Sequence, residues 1–234
     1  MTGTGNDIVS LNAINKVRTK QSRFYSKILS PSEETLYSKS AFASIPFENF
    51  VWLLWSIKES AFKYLQRTNP DLIFSPTKII VHRLQTPSAY SVSSFDATEL
   101  EGIGFDSRDA KFCVSTIKGI IAYGPNTFYS RSIIYKELVV SVVNGDANFE
   151  STSWGIKWTD KCHPPFQSIA VRKFLVNRLY SLFQMDNLMI GKSSYGFPIV
   201  LEGSEEISIP ISLSHHDHFV AYSFQSRDVF CSAA

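Results

Sequence analysis

The chain has no uninterrupted apolar run approaching the ~18 residues that a membrane-spanning helix needs, so no membrane partner is expected. Its opening residues, MTGTGNDIV, do not have the layout of a secretory signal. Cysteine is scarce. Cys113, Cys162 and Cys231 are odd in number and far apart, which provides neither a disulfide framework nor a zinc spacing. A reducing, cytoplasmic setting is the expectation. An excess of one charge is also missing: 23 basic against 21 acidic residues leave +2, which excludes a nucleic-acid footprint spread over the whole surface. What remains is an ordinary globular mix, 234 residues with 44% hydrophobic and 19% charged. That suits one medium domain or two small lobes of about 100–120 residues each.

Residues 10–29 carry Leu11, Ile14, Val17, Phe24 and Ile28 near helical spacing, so a helix is expected there. The same stretch holds Lys16, Arg18, Lys20, Arg23 and Lys27 with no acidic residue between Asp7 and Glu33. It reads either as a solvated face or as a landing strip for an acidic partner or for phosphates. Ser30-Pro31-Ser32-Glu33 reads as a helix start. The strongest helix is 49–67, with Leu53, Leu54, Ile57, Ala61, Tyr64 and Leu65 in one stripe. The opposite side collects Trp52, Trp55, Glu59, Phe62, Lys63 and Gln66. A side with two tryptophans and a phenylalanine should be covered as well, with Glu59 and Lys63 adjacent on it.

From residue 77 the period shortens. Lys78–Leu84, Tyr90–Phe95, Lys111–Ile117 and Ile120–Tyr123 read as strands. Residues 124–132 read as a connection between lobes, and Tyr135–Val143 as a strand. Pro165–Met185 reads as a second long helix, and 188–224 again as strands, with turns at Gly191–Gly196 and Glu202–Glu206. An internal repeat is suggested by CVSTIKGIIAY (113–123) over SLSHHDHFVAY (212–222), where Ser115, Ala122 and Tyr123 meet Ser214, Ala221 and Tyr222. His215 then stands where the first copy has Thr116. His216 and His218 read as solvent-facing turn residues. The string HHDH also invites a metal reading, but four neighbours in a tight turn rarely converge on one ion without an outside ligand.

Three elements combine into a pattern: Gly5-Asn6-Asp7-Ile8-Val9, then Trp55-Ser56-Ile57-Lys58-Glu59-Ser60-Ala61-Phe62-Lys63, then Ser212-Leu213-Ser214-His215. The combination resembles the 4′-phosphopantetheinyl transferase superfamily. Arg23-Phe24, Lys27-Ile28-Leu29-Ser30 and Glu33 look like a run of its holo-acyl-carrier-protein synthase branch, and Gly196-Phe197-Pro198 resembles its G-K/R-P turn. The likeness is good over 5–67 and moderate over 191–224; 68–190 matches in general architecture alone. Two features depart from the pattern. Many two-lobed members carry an acid where this chain has Val9, and they place the S-H element before the Asp and K-E elements.

The resemblance implies an α+β fold of two similar lobes related by a pseudo-two-fold, each a small antiparallel sheet packed against a long helix. Residues 1–125 would carry the Asp and K-E-x-x-x-K motifs and 126–234 the S-x-S-H strand, the chain being a monomer built as a pseudo-dimer. It implies Mg-dependent transfer of 4′-phosphopantetheine from coenzyme A to a serine of an acidic acyl or peptidyl carrier protein, releasing adenosine 3′,5′-bisphosphate. Asp7 and Glu59 would hold magnesium, an ion that takes hard oxygen ligands. Asp7, Glu59 and Lys63 would carry catalysis, and Lys58, Lys63, Ser214, His215 and Arg23 would contact coenzyme A. Glu59, a water or another carboxylate would deprotonate the serine. Two other readings stay open: an inactive relative that binds coenzyme A or a carrier protein, and an interaction module for an acidic partner.

Overall fold

A strand whose every residue is buried needs cover on both faces. Gly5–Ser10 (β1) and Leu138–Asn144 (β6) are two such strands, and they pair antiparallel from Gly5↔Val143 to Ser10↔Leu138. The computed structural model describes residues 3–38, 42, 45–87, 92–105 and 116–226. Within these, β1 and β6 join Asn126–Ile134 (β5), Ile117–Tyr123 (β4) and Ile80–Gln85 (β2) in a five-stranded sheet of order β1-β6-β5-β4-β2. A second sheet of order β11-β12-β7-β3 is made from Glu99–Ile103 (β3), Thr152–Trp158 (β7), Ile211–His216 (β11) and Phe219–Gln225 (β12). Leu188–Lys192 (β8), Pro198–Glu202 (β9) and Glu205–Ile207 (β10) form a small third sheet. Three short helices, Lys16–Thr19 (α1), Ser22–Tyr25 (α2) and Pro31–Ser38 (α3), precede the long Phe47–Gln66 (α4); Pro164–Phe183 (α5) is the second long helix. The fold is α+β, with antiparallel sheets.

Alternating side chains show how the layers stack. Val139 and Val143 of β6 face Leu53, Leu54, Ile57 and Ala61 of α4 in one core. Val140 and Val142 face the other way and meet Ile156, Phe219 and Ala221 of the second sheet in another. On the far side, Val220, Tyr222 and Phe224 pack against Val171, Leu175 and Leu179 of α5. The order is therefore α4, five-stranded sheet, four-stranded sheet, α5. This explains why β6 reads as a continuous apolar run, as strands covered on both faces do. All six residues of the expected α4 stripe are buried. Its opposite side is covered too: the Trp52 indole N–H donates to Thr19 Oγ1 at 3.1 Å, while Trp55 and Phe62 pack on Phe74 with ring centroids 5.3 and 5.0 Å apart.

Several expectations are corrected. Residues 124–132 are a tight turn leading into β5, whose buried Ser130 and Ser132 disguised it as a linker. The expected helix over 10–29 is two four-residue helices. Asn15 caps the first by accepting from Arg18 N at 2.9 Å, and extended Gln21 (ψ 129) separates them. The pairing of strands crosses position 125, since β5 and β6 complete the first sheet and β3 lies in the second. The aligned repeat does not share one structure: 117–123 is a single strand, while 212–222 is the β11–β12 hairpin turning at Asp217, φ 54. The pseudo-two-fold thus loses the segment that suggested it. Residues 92–95 carry no strand, and most of the expected 111–117 strand lies outside the described residues.

The layer contact closest to the site is that of β1 with α4. A Cβ placed on Gly5 would sit 2.0 Å from Ser60 O and 2.8 Å from Tyr64 N, backbone atoms of a helix that cannot swing aside. Gly5→Ala is expected to push β1 away from α4 and to lower stability by about 1–3 kcal/mol or more, as overpacking does. Urea unfolding checks this; an unchanged midpoint contradicts the contact.

Candidate functional site

Asp7 stands mid-strand on β1 with its side chain turned toward α4, and one turn separates Glu59 from Lys63 on that helix. The Lys63 ammonium joins them: Nζ donates to Asn6 O at 2.9 Å and lies 3.4 Å from both Asp7 Oδ1 and Glu59 Oε1. The Ser56 hydroxyl donates to Asp7 O at 3.3 Å, pinning the strand to the helix. Asp7 is 5% exposed, and its second oxygen, Oδ2, is buried without a hydrogen-bond donor among the described residues. Burial pushes the Asp7 carboxyl up to about 7, reinforced by Glu59 and opposed by Lys63. Once Asp7 is ionised, above about pH 7, one ammonium shared between two carboxylates leaves negative charge over, and a hard oxygen without a donor beside it. This donor set fits a divalent cation such as magnesium, which takes one or two carboxylates together with substrate oxygens and water.

β11 brings the other half of the site. It runs beside β1 without a backbone ladder and is held by side chains instead. Asn6 N donates to Ser212 Oγ and Asn6 Nδ2 to Ser214 Oγ, both at 2.9 Å. Ser10 N donates to His216 Nδ1 at 2.8 Å. His215 and His216 therefore sit near Lys63 and Glu59 of α4. Burial lowers the His215 pKa, helped by the nearby Lys63 and His216 charges. Burial lowers that of His216 as well, opposed by Asp217 and Glu59. Asp7, Glu59, Lys63 and His215 are thus brought into one neighbourhood from both halves of the sequence.

Two expected ligand contacts are corrected. Lys58 faces away from the site: it is 0% exposed, its Nζ bonded to Glu33 Oε2 at 2.7 Å and Ile28 O at 2.6 Å. Glu33 also accepts from Ser30 N and Val81 N, each at 2.7 Å. The pair ties α3, α4 and β2 together inside the protein, beyond reach of a phosphate. Burial lowers the Lys58 pKa, while Glu33 raises it. Ser214 is buried too, its hydroxyl accepting from Asn6 and lying 3.5 Å from Ala221 O. It holds the seam between β1 and β11. Arg23 is exposed on α2, its Nε bonded to Gln21 Oε1 at 3.1 Å. His216, expected in solvent, is half-buried and bonded to β1; its Ser10 partner, three residues after Asp7, gave no signal in the sequence.

A raised carboxylate pKa has a consequence for stability. Asp7 favours folding most below about pH 4, and that contribution is lost as pH rises through about 7. Without divalent cations, Asp7→Asn is expected to melt above the wild type at pH 8 by several degrees, on a scale of about 2–4 °C per kcal/mol. The gap should close toward pH 4, and magnesium at pH 8 should narrow it by stabilising the wild type alone. Calorimetry at the two pH values checks this; a gap that does not change with pH contradicts the burial of the carboxyl.

No curated protein and no solved structure matches the chain. The family comparison is positive, and its span contains β1, α4 and every residue from Asp7 to Lys63, while His215 lies outside it: residues 3–115 match the model of the 4′-phosphopantetheinyl transferase superfamily, the family that the Asp7 strand and the Trp55–Lys63 helix resemble.

Proposed function

We propose that the chain transfers 4′-phosphopantetheine from coenzyme A to a serine hydroxyl of an acyl or peptidyl carrier protein, with magnesium. The observation that carries this reading is the arrangement of Asp7, Glu59 and Lys63, with Asp7 Oδ2 left without a donor. In the reaction, the serine oxygen attacks the phosphorus that bears the pantetheine arm. The bond from that phosphorus to the bridging pyrophosphate oxygen breaks, and adenosine 3′,5′-bisphosphate leaves. Such displacement asks a protein mainly to position the reactants and to balance charge on phosphate oxygens. Asp7 and Glu59 would hold magnesium, which supplies charge neutralisation on the pyrophosphate. Lys63 would meet a phosphate oxygen as a point charge, exchanging part of its contact with Asp7 and Glu59 for it. His215, exposed beside Lys63, would contact coenzyme A from the β11 side, and exposed Arg23 would serve as an outer contact. Glu59 is a candidate to accept the serine proton. Val9 is buried at 3% and supplies no third acid, so two carboxylates would have to suffice.

The carrier protein would approach along the first helices. Lys16, Arg18, Lys20, Arg23 and Lys27 are all exposed, with Lys20 paired to Glu48 at 3.2 Å. An acidic partner would be steered there, an attraction that salt screens.

Incubation with coenzyme A, magnesium and an apo carrier protein should add about 340 Da to the carrier, the mass of a phosphopantetheine ester on serine. Glu59→Ala should abolish the gain while leaving the fold intact, since Glu59 is part-exposed. Substantial transfer by Glu59→Ala contradicts the metal assignment; no transfer by the wild type with tight coenzyme A binding favours an inactive relative. Separately, Lys16→Glu with Arg18→Glu should raise KM for the carrier several-fold while leaving KM for coenzyme A unchanged. Equal changes in both would assign the run to coenzyme A instead.

A further inference from the structure

The turn between β11 and β12 carries a cluster that the transfer reaction does not use. Cys162, Asp217 and His218 each offer a ligand atom, and the three atoms lie within 4.8 Å of one another. Asp217 and His218 belong to the turn. Cys162 comes from the loop that links β7 to α5, and it supplies the outside ligand that the HHDH string lacks by itself.

The surroundings of each residue are those of a ligand rather than of a stray surface group. His218 Nδ1 faces Thr159 O at 2.8 Å. A carbonyl can only accept, so Nδ1 carries the proton and the Nε2 lone pair is left free. Nε2 points at Asp217 Oδ1, 4.0 Å away. An imidazole that gives one N–H to a backbone carbonyl and turns the other nitrogen outward is the usual arrangement of a metal-binding histidine. The ring is further fixed by stacking on Trp158, at 5.6 Å between centroids and 16° between planes. Asp217 has its second oxygen occupied by the Ser10 hydroxyl at 3.0 Å, which leaves Oδ1 for an ion. Its carbonyl accepts from Gln167 of α5. Cys162 is a free, exposed thiol.

We propose that Cys162, Asp217 and His218 bind one zinc-class divalent cation. Thiolate and imidazole select zinc over magnesium, whose preference is for oxygen. With bond lengths of about 2.0–2.3 Å, the ligands of a tetrahedral zinc ion lie about 3.3–3.7 Å apart, so a rotation of Cys162 and a small closure complete the set. Water fills the fourth position. The ion would clamp the β7–α5 loop to the hairpin turn, one residue from His216 and linked through Ser10 to the strand of Asp7. This site is separate from the Asp7–Glu59 pair and does not depend on the transfer reading.

Cobalt serves as the probe, because a thiolate bound to it gives a charge-transfer band in the near ultraviolet. The full-length chain, reduced and freed of metal, is titrated with Co²⁺ in excess Mg²⁺. One equivalent should bind with that band, and Zn²⁺ should displace it. Cys162→Ser should abolish the band, and both it and His218→Ala should weaken binding at least about tenfold, the smaller effect seen even for outer partners of metal ligands. Asp7→Asn and Glu59→Ala should leave the band and the affinity unchanged. Absence of the band from the wild type overturns the proposal, as does its persistence in Cys162→Ser, a variant at an exposed position where folding is not at stake. Loss of the band in Asp7→Asn would also overturn it, by assigning the ion to the other site.

Discussion

β1 is six residues long, and three different neighbours hold it at once. The β6 ladder takes its backbone on one edge, α4 lies against one face close enough to require Gly5, and β11 lies along its other edge through side-chain hydrogen bonds. Every residue of the strand is buried. Such a segment has no slack: a shift of one residue would exchange Asp7 for a neighbour that points the opposite way. The position of one carboxylate is therefore set by the packing of three elements, and the electrostatics at the site follow from that packing. Burial raises the Asp7 pKa, and Lys63 can compensate only in part because it is shared with Glu59.

Lys58 and Glu59 are neighbours in sequence with opposite roles. A turn of about 100° per residue carries Lys58 to the buried side and leaves Glu59 part-exposed. Lys58 then needs a buried partner, since an unpaired internal ammonium costs several kcal/mol. Glu33 provides it and spends its remaining lone pairs on Ser30 and Val81 backbone N–H groups. The result fixes the start of α3 and the beginning of β2 against α4. Lys58, expected beside Lys63 as a coenzyme A contact, thus instead holds the helix that bears Glu59 and Lys63.

How far the sequence was legible depends on whether the pattern is local. The α4 stripe and its second covered face were legible, because two tryptophans and a phenylalanine on one helical side need burial whatever they pack on. The existence of α5 was legible too, expected over Pro165–Met185 and found at Pro164–Phe183. β5 was not, because its inward positions include Ser130 and Ser132, and a buried serine is read as a turn residue unless its partner is known. Ser132 has that partner in Ser141, 2.9 Å away across the ladder. Asp7, Glu59 and Lys63 could be named together from their motifs, and the structure places both carboxylates 3.4 Å from the Lys63 ammonium. Ser214 and Lys58 were misassigned for a common reason: a motif records which residues occur, and not which way a side chain turns once neighbours from distant parts of the chain arrive.

The seam between β1 and β11 shows why polar residues occupy that contact. An apolar seam would hold the two sheets together equally well, but it would tolerate sliding along the strand direction. Asn6 bonded to Ser212 and Ser214, Ser10 bonded to His216 and Thr4 bonded to Ser223 allow one register, because any slip leaves several buried donors unpaired at about 1–3 kcal/mol each. That register is what sets His215 beside Lys63 and His216 beside Glu59. The serines of the S-x-S-H element then act at a distance from any ligand. They are the teeth that align the second sheet with the first, and the histidine that follows them comes near Lys63 only because those teeth engage.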